Sequence, residues 1–458
     1  MNERRSPSAD NQYIKMTRTP IPELVTSLSI PTIFSMLVTS FYNMVDTAFV
    51  GTLGNSASGA VGVAFGFMAI LQAVGFMFGQ GAGSMISRKL GVKDAGTSSV
   101  IASTGFFGAL LIGGLFGIVG LLFQDELVMA LGSTDTIAPY AKEYLKYILM
   151  ASPFMMSSLV LNNILRYEGK AVLGMVGLVL GGVLNIAGDA FFIFVLEMGV
   201  GGAGLATGLS QMVSFFILLS MFLRGRTQCR LSVRLITRNY RQWLDIMATG
   251  SPSLLRQGLS SYATVLLNSL AKPYGDGAIA AMSIVSRITM FVFSVIIGIG
   301  QGYQPVSGFN YGAGKYSRVR EGFRFTLILS QTVMTIAATV VLLFSTEMIQ
   351  IFRDDPQVIE IGTRALQLQC VALYFLPFAM VTEMQLQSTG QRLGAALLSS
   401  GRNGLFFIPA LVILAHVRGL AGIQEAQPLA FVLSFFFCIF FAVWFFRKLP
   451  KEDLPDPI

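Results

Sequence analysis

The chain has 458 residues and a formal net charge of +8, yet only 12% of its residues are charged and 53% are hydrophobic. A soluble domain is about 25% charged, because its surface must be wetted, so this composition argues against a soluble protein. The apolar residues form continuous runs rather than the alternating segments of a membrane β-barrel. We therefore expect an all-α integral membrane protein.

Apolar runs long enough to cross a hydrocarbon core of about 30 Å, which takes roughly 20 helical residues, occur along the whole chain. In chain order they predict twelve transmembrane helices, over 22–51, 58–86, 97–123, 139–163, 171–196, 200–222, 242–270, 277–307, 322–345, 360–388, 393–416 and 427–447. We expect no cleavable signal peptide, because the polar start leads into a segment long enough to span.

These helices divide the chain into two pseudo-symmetric six-helix bundles. The predicted units are an N-terminal segment (1–21), a first lobe (22–222), a basic linker (223–241), a second lobe (242–447) and a tail (448–458). A linker that carries several arginines could suggest nucleic acid, but between two membrane lobes it is better explained as a segment at the lipid surface.

Lysine and arginine are concentrated in alternate connections between the predicted helices. These basic connections include Arg4, Arg5, Lys15, Arg18, Arg88, Lys89, Lys93, Arg166, Lys170, Arg224, Arg226, Arg230, Lys315, Arg318, Arg392, Arg447 and Lys448. Cytoplasmic loops carry such an excess, so we predict a bacterial inner-membrane protein with both termini and the linker in the cytoplasm.

The two halves of the sequence repeat. A shift of 221 residues places Pro31 on Pro252, Gly54 on Gly275, and the Gly-Gln-Gly motif at 79–81 on the one at 300–302. Because six helices fit within the shift, both repeats have the same orientation, with a cleft between them. This arrangement favours alternating access over a simple pore.

Two acidic residues of the first half are predicted to lie inside the membrane. Asp46 and Asp189 each precede the outer end of their helix by about 10 Å, so their depths match. Asn43 and Asn185 precede them by three and four residues and share their helix faces, and Thr207 of the sixth helix lies at similar depth. An ionisable residue in hydrocarbon is costly and therefore a candidate for function.

Two carboxylates with amide and hydroxyl neighbours could take up a proton or hold Na⁺. They could also only hydrogen-bond the helices together. Under the 221-residue shift, Asp46 falls on Leu267 and Asp189 on Ala410, so the second lobe lacks these acids. We therefore predict that ion coupling, or a Na⁺ site, belongs to the first lobe. Its residues would be Asp46, Asn185, Asp189 and Thr207.

The second half has Arg256, Arg287 and Glu383 at membrane depth. Arg256 and Glu383 could form a buried ion pair, or Glu383 could face a substrate. Residues expected to line the cleft are Tyr42, Asn43, Asn162, Asn163, Gln257, Asn268, Gln301, Gln304, Glu383 and Gln385. The 37 phenylalanines and 22 methionines would suit flat cations but are also ordinary lipid-facing residues. Pro31 and Pro252 are predicted helix bends.

At these residues the chain resembles the multidrug and toxic compound extrusion (MATE) family, within the multidrug/lipid/polysaccharide exporter superfamily. The resemblance covers about 22–447 and depends most on residues 43–54 (NMVDTAFVGTLG), 79–83 (GQGAG), 250–252 (GSP) and 300–305 (GQGYQP). It implies export of cationic or amphipathic compounds in exchange for H⁺ or Na⁺. The coupling residues implied are Asp46, Asn185, Asp189 and Thr207. The lack of an acid in 250–270 is similar to the DinF-like and MepA-like branch.

We therefore expect a monomeric secondary antiporter that exports small cationic or amphipathic drugs. A flippase for lipid-linked oligosaccharides is the alternative within the superfamily, since Arg256 and Arg287 would suit a pyrophosphate. A channel or structural membrane protein is a further alternative. We do not expect an enzyme, because no nucleophile–base or metal constellation is present. No cofactor is expected besides the coupling ion, and the sequence does not choose between H⁺ and Na⁺.

Overall fold

The computed structural model describes residues 7–455, and this part of the chain consists of helices and their connections, without strands. The α-helices are α1 (Pro7–Arg18), α2 (Ile21–Gly51), α3 (Asn55–Gly91), α4 (Ala95–Leu122), α5 (Gln124–Ala130), α6 (Ala138–Tyr167), α7 (Ala171–Asp189), α8 (Gly199–Leu223), α9 (Tyr240–Ala271), α10 (Asp276–Gly312), α11 (Tyr316–Leu343), α12 (Ser345–Phe352), α13 (Pro356–Leu373), α14 (Leu376–Ser388), α15 (Arg392–Ser400), α16 (Phe407–Arg418) and α17 (Leu420–Lys448). Two π-helical segments, Ala190–Val195 and Gly401–Leu405, extend α7 and join α15 to α16.

The predicted membrane-spanning segments are all present as helices. Ten helices of the described chain are long and apolar enough to cross a membrane, and the pair α13 and α14, bent by 52°, gives an eleventh. The twelfth, α9, has 32 residues and is long enough, but Arg256, Gln257 and many hydroxyl groups make it more polar. The predicted bounds differ by a few residues; for example, the last helix starts at Leu420 rather than 427.

The internal repeat extends to the helix starts. Five pairs of helices begin 221 residues apart: α3 and α10, α4 and α11, α5 and α12, α7 and α15, and α8 and α17. The turns before α3 and α10 use Gly54 and Gly275, both with positive φ, a conformation that glycine adopts without strain. The short helices α5 and α12 were not predicted, yet they obey the same repeat.

Helices α2 to α8 form the first bundle and α9 to α17 the second. In the first, α6 is central and packs against α3, α4, α7 and α8. In the second, α10 packs against α11, α13 and α14 of its own bundle and against α2 and α3 of the other. The lobes therefore meet mainly through α2 with α10 and α3 with α9.

The contact between the lobes is tight at one end of the helices. We call it the basic end, where α3 finishes at Gly91 and α10 at Gly312. A Cβ at Gly250 of α9 would lie 1.8 Å from the Met77 carbonyl oxygen, and one at Gly312 would lie 2.1 Å from the Arg88 carbonyl oxygen. Backbones approach this closely only at glycine.

Toward the opposite end the lobes separate. The hydroxyl groups of Ser40 on α2 and Ser294 on α10 are hydrogen-bonded at 3.0 Å. Beyond them, Met44 of α2 is 44% exposed and Met290 of α10 is 65% exposed. The two lobes thus enclose a cleft that is closed at the basic end and open at the other.

Two predicted segments at the basic end, 1–21 and 223–241, make contacts that the sequence did not indicate. Helix α1 bridges both lobes, since Gln12 donates to the Glu168 carbonyl oxygen (2.8 Å) and Asn310 donates to the Met16 carbonyl oxygen (3.1 Å). The linker between α8 and α9 is fixed to the first lobe, because the Glu168 carboxylate accepts the backbone N–H groups of Gln228 and Cys229, each at 2.9 Å. The linker is therefore held to one lobe.

Candidate ion and substrate site

Two buried carboxyl groups lie side by side inside the first lobe. Asp46, near the end of α2, is 2% exposed, and Asp189, the last residue of α7, is fully buried. Their carboxyl groups are within hydrogen-bonding reach of each other. The π-helical segment Ala190–Val195 begins directly after Asp189, and such segments are frequent at functional sites.

Hydroxyl and amide groups complete this cluster. The Tyr144 hydroxyl on α6 lies 3.5 Å from Asp46 Oδ2 and 3.3 Å from Thr207 Oγ1, and Asn185 Nδ2 donates to Thr207 Oγ1 at 3.1 Å. A Cβ at Gly204 would lie 2.6 Å from the Tyr144 carbonyl oxygen, so glycine allows α8 to bring Thr207 against α6. Four predicted residues, Asp46, Asn185, Asp189 and Thr207, are thus brought together. Tyr144 was not predicted.

Several oxygen atoms of the cluster lack a hydrogen-bond donor. Within the described chain, no donor reaches Asp46 Oδ1, Asn185 Oδ1 or either carboxylate oxygen of Asp189. Buried polar atoms without partners are costly, and two ionised carboxylates cannot donate to each other. A shared proton would supply the missing donor. Na⁺ would instead be held by these oxygen atoms, the ligand type that hard cations prefer.

The other predicted residues of α2 lie beside this cluster. Tyr42 is half-buried, one turn before Asp46, within hydrogen-bonding reach of Gln211. Asn43 is half-buried, and its carbonyl oxygen accepts the Thr47 hydroxyl at 2.8 Å. Among the described residues, the Asn43 side chain makes no hydrogen bond to either carboxyl group. The expected pairing of Asn43 with Asp46 is therefore not part of the cluster.

A cavity of about 10 Å³, the size of one water molecule, lies between α2, α6 and α7 of the first lobe. It is lined by Thr32, Ser35, Met36, Asn162, Arg166, Ala171, Met175 and Leu178. The assignment of Arg166 to a surface connection was wrong: it lies within α6 and is 3% exposed. A basic residue near a helix end can point into the protein interior. Counting the lysines and arginines in the connections does not reveal this.

Arg166 connects the two lobes. Its guanidinium donates to Asn163 Oδ1 on its own helix and to Gln301 Oε1 on α10. Gln304 and Gln385 are also buried and are hydrogen-bonded to Gln387 and to the Ser307 hydroxyl. In this conformation these predicted cleft residues bind other protein groups at the closed end. A role in substrate binding stays a prediction.

The first Gly-Gln-Gly motif lies in the contact between lobes. A Cβ at Gly81 would lie 2.2 Å from the Ile246 carbonyl oxygen, and Gln80 Oε1 accepts the Ser253 hydroxyl at 2.5 Å. Nearby, Arg88 donates to the Ser388 carbonyl oxygen at 3.0 Å. Gly81 lets the backbones of α3 and α9 approach closely, and Gln80 supplies a buried side-chain amide that hydrogen-bonds across the contact. These two roles account for glycine and glutamine in the motif.

Glu383 forms an ion pair in the second lobe. Its Oε1 accepts Arg256 Nη1 at 2.9 Å and the Ser399 hydroxyl at 2.6 Å, and Glu383 is 2% exposed. Arg402, which was not predicted, is 4% exposed and lies 4.9 Å from the centroid of the Phe293 ring. Of the two alternatives for Glu383, the structure shows the ion pair.

The remaining predicted residues are distributed along α9 and α2. Gln257 and Asn268 are half-buried on α9, toward the open part of the cleft. Pro31 and Pro252 are buried inside α2 and α9, and the bends assigned to them stay a prediction. Both prolines lie in the part of their helix that contacts the other lobe.

Comparison with known proteins matches this architecture over nearly the whole chain. The family model MatE matches residues 31–191 and again 252–412. The multidrug export protein MepA of Staphylococcus haemolyticus is 27% identical over 432 residues, 94% of this chain and 95% of that protein. An outward-facing multidrug resistance MATE family transporter has a TM-score of 0.91 at 25% identity, covering 98% and 100% of the chains. A superfamily transporter from Pyrococcus furiosus, noted for a binding pocket of reverse polarity, has a TM-score of 0.90 at 26% identity, again covering 98% and 100%.

Proposed function

The chain belongs to the MatE family, and from this premise we propose that it is a secondary antiporter that exports small cationic or amphipathic drugs in exchange for H⁺ or Na⁺. The similarity to a multidrug export protein supports the drug substrates. The single observation that carries the coupling is the pair Asp46 and Asp189, whose buried oxygen atoms lack donors.

Ion binding is linked to the cleft through α2. Asp46 lies near one end of this helix, while Ser29 and Ser40 of the same helix contact α10 of the second lobe. An ion that neutralises Asp46 removes the repulsion from Asp189 and lets α2 pack differently against α7. A ligand shifts a conformational equilibrium only by its difference in affinity between the two states. This packing change supplies that difference, and Pro31 provides a point where α2 can bend.

The lobes 22–222 and 242–447 alternate between two arrangements in this mechanism. In the arrangement described here, the Arg166–Gln301 and Gln80–Ser253 hydrogen bonds close the basic end. Each such bond contributes on the order of 1 kcal/mol, so their loss can be offset by new contacts at the opposite end. We place the basic end, both termini and the linker 223–241 in the cytoplasm of a bacterial membrane, following the positive-inside rule. The protein acts as a monomer.

The test is dye efflux from vesicles that contain the purified protein, with a pH gradient and a Na⁺ gradient imposed separately. We expect one of the two gradients to accelerate ethidium transport, and an ionophore that dissipates it to remove the effect. Transport that is indifferent to both gradients would contradict antiport and support a channel. Rescue of a cell-wall lipid flippase defect, without protection against ethidium, would support the flippase.

A further inference from the structure

Arg287 is a cation at membrane depth for which no described residue is an ion-pair partner. It lies on α10, about 16 Å along the helix from its start at 276. The side chain is exposed, and it forms no hydrogen bond or ion pair with another described residue. Exposing a charged side chain to lipid at this depth is energetically costly. The role of Arg287 therefore depends on whether its side chain points into lipid or into the cleft between the lobes.

The contacts of α10 show that this direction is toward the first lobe. Ser294 and Gly298 lie seven and eleven residues after Arg287, spacings that return to the same helix face. Ser294 is hydrogen-bonded to Ser40 of α2, and a Cβ at Gly298 would lie 2.6 Å from Ile33 of α2. Arg287 therefore projects from the face that meets α2, two turns beyond the last of these contacts. At that level the lobes have separated, so the guanidinium lies in the open cleft.

Exposed apolar side chains lie next to Arg287 on α10, and no described acid forms an ion pair with it. Its neighbours Met290 and Phe291 are 65% and 50% exposed. Across the cleft, α2 exposes Met44, whereas Asp46 is turned into the first lobe and is 2% exposed. An amphipathic compound would find an aromatic and thioether surface beside one unpaired guanidinium.

The rest of the second lobe adds positive charge. Arg256 and Arg402 are both buried within electrostatic range of one carboxylate, Glu383. Arg256 and Arg402 lie deeper than Arg287, and the one buried acid of the described second lobe, Glu383, faces them rather than Arg287. An arginine guanidinium can donate two parallel hydrogen bonds to one carboxylate or phosphate, and its hydrogen bonds to other groups are weaker.

We propose that Arg287 binds an anionic group, a carboxylate or phosphate, of the exported compound. Among the amphipathic drugs of the proposed function, those that carry such a group then bind more tightly than those that lack it. The inference rests on the proposed function in one respect, that the open cleft is where the exported compound binds. Arg287 then selects compounds that carry an anionic group.

The test uses purified protein in lipid nanodiscs and two xanthene dyes, one with a free carboxylate and one that is its methyl ester. Binding is measured at equilibrium by fluorescence anisotropy. We expect wild type to bind the carboxylate dye more tightly. Arg287→Gln should weaken binding of that dye roughly 10-fold or more, the size expected for a hydrogen-bonded charge pair. Binding of the ester should change less than about 2-fold.

Two further variants complete the test. Arg287→Lys keeps the charge without the bidentate geometry and should give an intermediate loss. Arg364→Gln removes an exposed arginine from α13, which packs within the second lobe, and should change neither dye. If Arg287→Gln and Arg287→Lys preserve the wild-type ratio of the two affinities, the proposal is wrong. Competition by anionic lipid in the nanodisc, without dye selectivity, would assign Arg287 to a headgroup and also overturn it.

Measuring both dye binding and dye transport distinguishes failure of the anion site from failure of the antiport. Dye selectivity that depends on Arg287, in a protein that ignores both ion gradients, would refute the coupling and leave the anion site in place. Gradient-driven transport of both dyes with equal affinity, unchanged in Arg287→Gln, would refute the anion site and leave the antiport in place.

Discussion

The Tyr144 hydroxyl lies 3.5 Å from Asp46 Oδ2, so the central helix α6 contacts the acid of α2 directly. We predict that Tyr144→Phe changes ion binding about 2- to 10-fold: Na⁺ binds more weakly because it loses an oxygen ligand, and H⁺ binds more tightly because the ionised Asp46 loses a hydrogen-bond donor. The measurement is the ion concentration or pH that gives half-maximal efflux. Tyr140→Phe on the same helix, which is 44% exposed, should have no effect. An unchanged midpoint in Tyr144→Phe would remove this residue from the site.

Asp46→Asn and Asp189→Asn should each make transport insensitive to the ion gradient. Asparagine fills the same volume but neither binds the proton nor supplies the charge that holds Na⁺. Dye binding to the purified variants should stay within a few-fold of wild type, since the cluster is buried in the first lobe. Asp135→Asn, in an exposed loop, is the matched control. Variants that keep gradient-sensitive efflux would show that the carboxyl pair is structural.

Glu383→Gln should reduce the stability of the protein. Loss of the carboxylate leaves Arg256 buried without a counter-charge, which typically costs about 3–5 kcal/mol. In thermal unfolding we expect a lower midpoint for Glu383→Gln, partly restored in the double variant with Arg256→Gln. Glu360→Gln, an exposed acid on α13, should unfold like wild type. A stable Glu383→Gln protein with weakened dye binding would instead favour contact with the substrate.

Gly250→Ala should disfavour the arrangement described here, because its Cβ would lie 1.8 Å from the Met77 carbonyl oxygen across the lobe contact. Gly258→Ala is a control on the same helix, since nothing lies within 4 Å of a Cβ there. The readout is thiol labelling of Val265→Cys, on the part of α9 beyond the lobe contact, where the side chain is 63% exposed. Labelling should slow in Gly250→Ala and stay unchanged in Gly258→Ala. Equal rates would mean that the contact does not control opening.

Residues that repeat or share a depth could be predicted from the sequence. Asp46 and Asp189 were grouped because each lies a similar number of residues from its helix end, and the structure brings them together. The 221-residue repeat predicted the two-bundle architecture, and the turns at the aligned Gly54 and Gly275 follow the same repeat. Such features depend on spacing along one helix or on the repeat, which one sequence contains.

Contacts between distant helices could not be predicted in the same way. Tyr144 joins the cluster because α8 packs closely on α6 at Gly204, and no pattern within α6 indicates this contact. Arg166 was counted as a loop residue, although it turns inward to Gln301. For Glu383 and Arg256, matched depth allowed both an ion pair and a substrate contact. Which of the two contacts Glu383 makes depends on the rotation of its helix about the helix axis, because that rotation sets the direction of the side chain.

The most direct test of the central claim, that ion and drug exchange through the Asp46 and Asp189 pair, is ion counterflow. Vesicles are prepared without an ion gradient, a drug gradient is imposed, and luminal pH and Na⁺ are followed by fluorescent indicators. We expect drug movement to drive H⁺ or Na⁺ uphill in the opposite direction, and Asp46→Asn and Asp189→Asn to abolish this flux. Drug movement without ion movement in wild type, or uphill ion flux that persists in both variants, would contradict it.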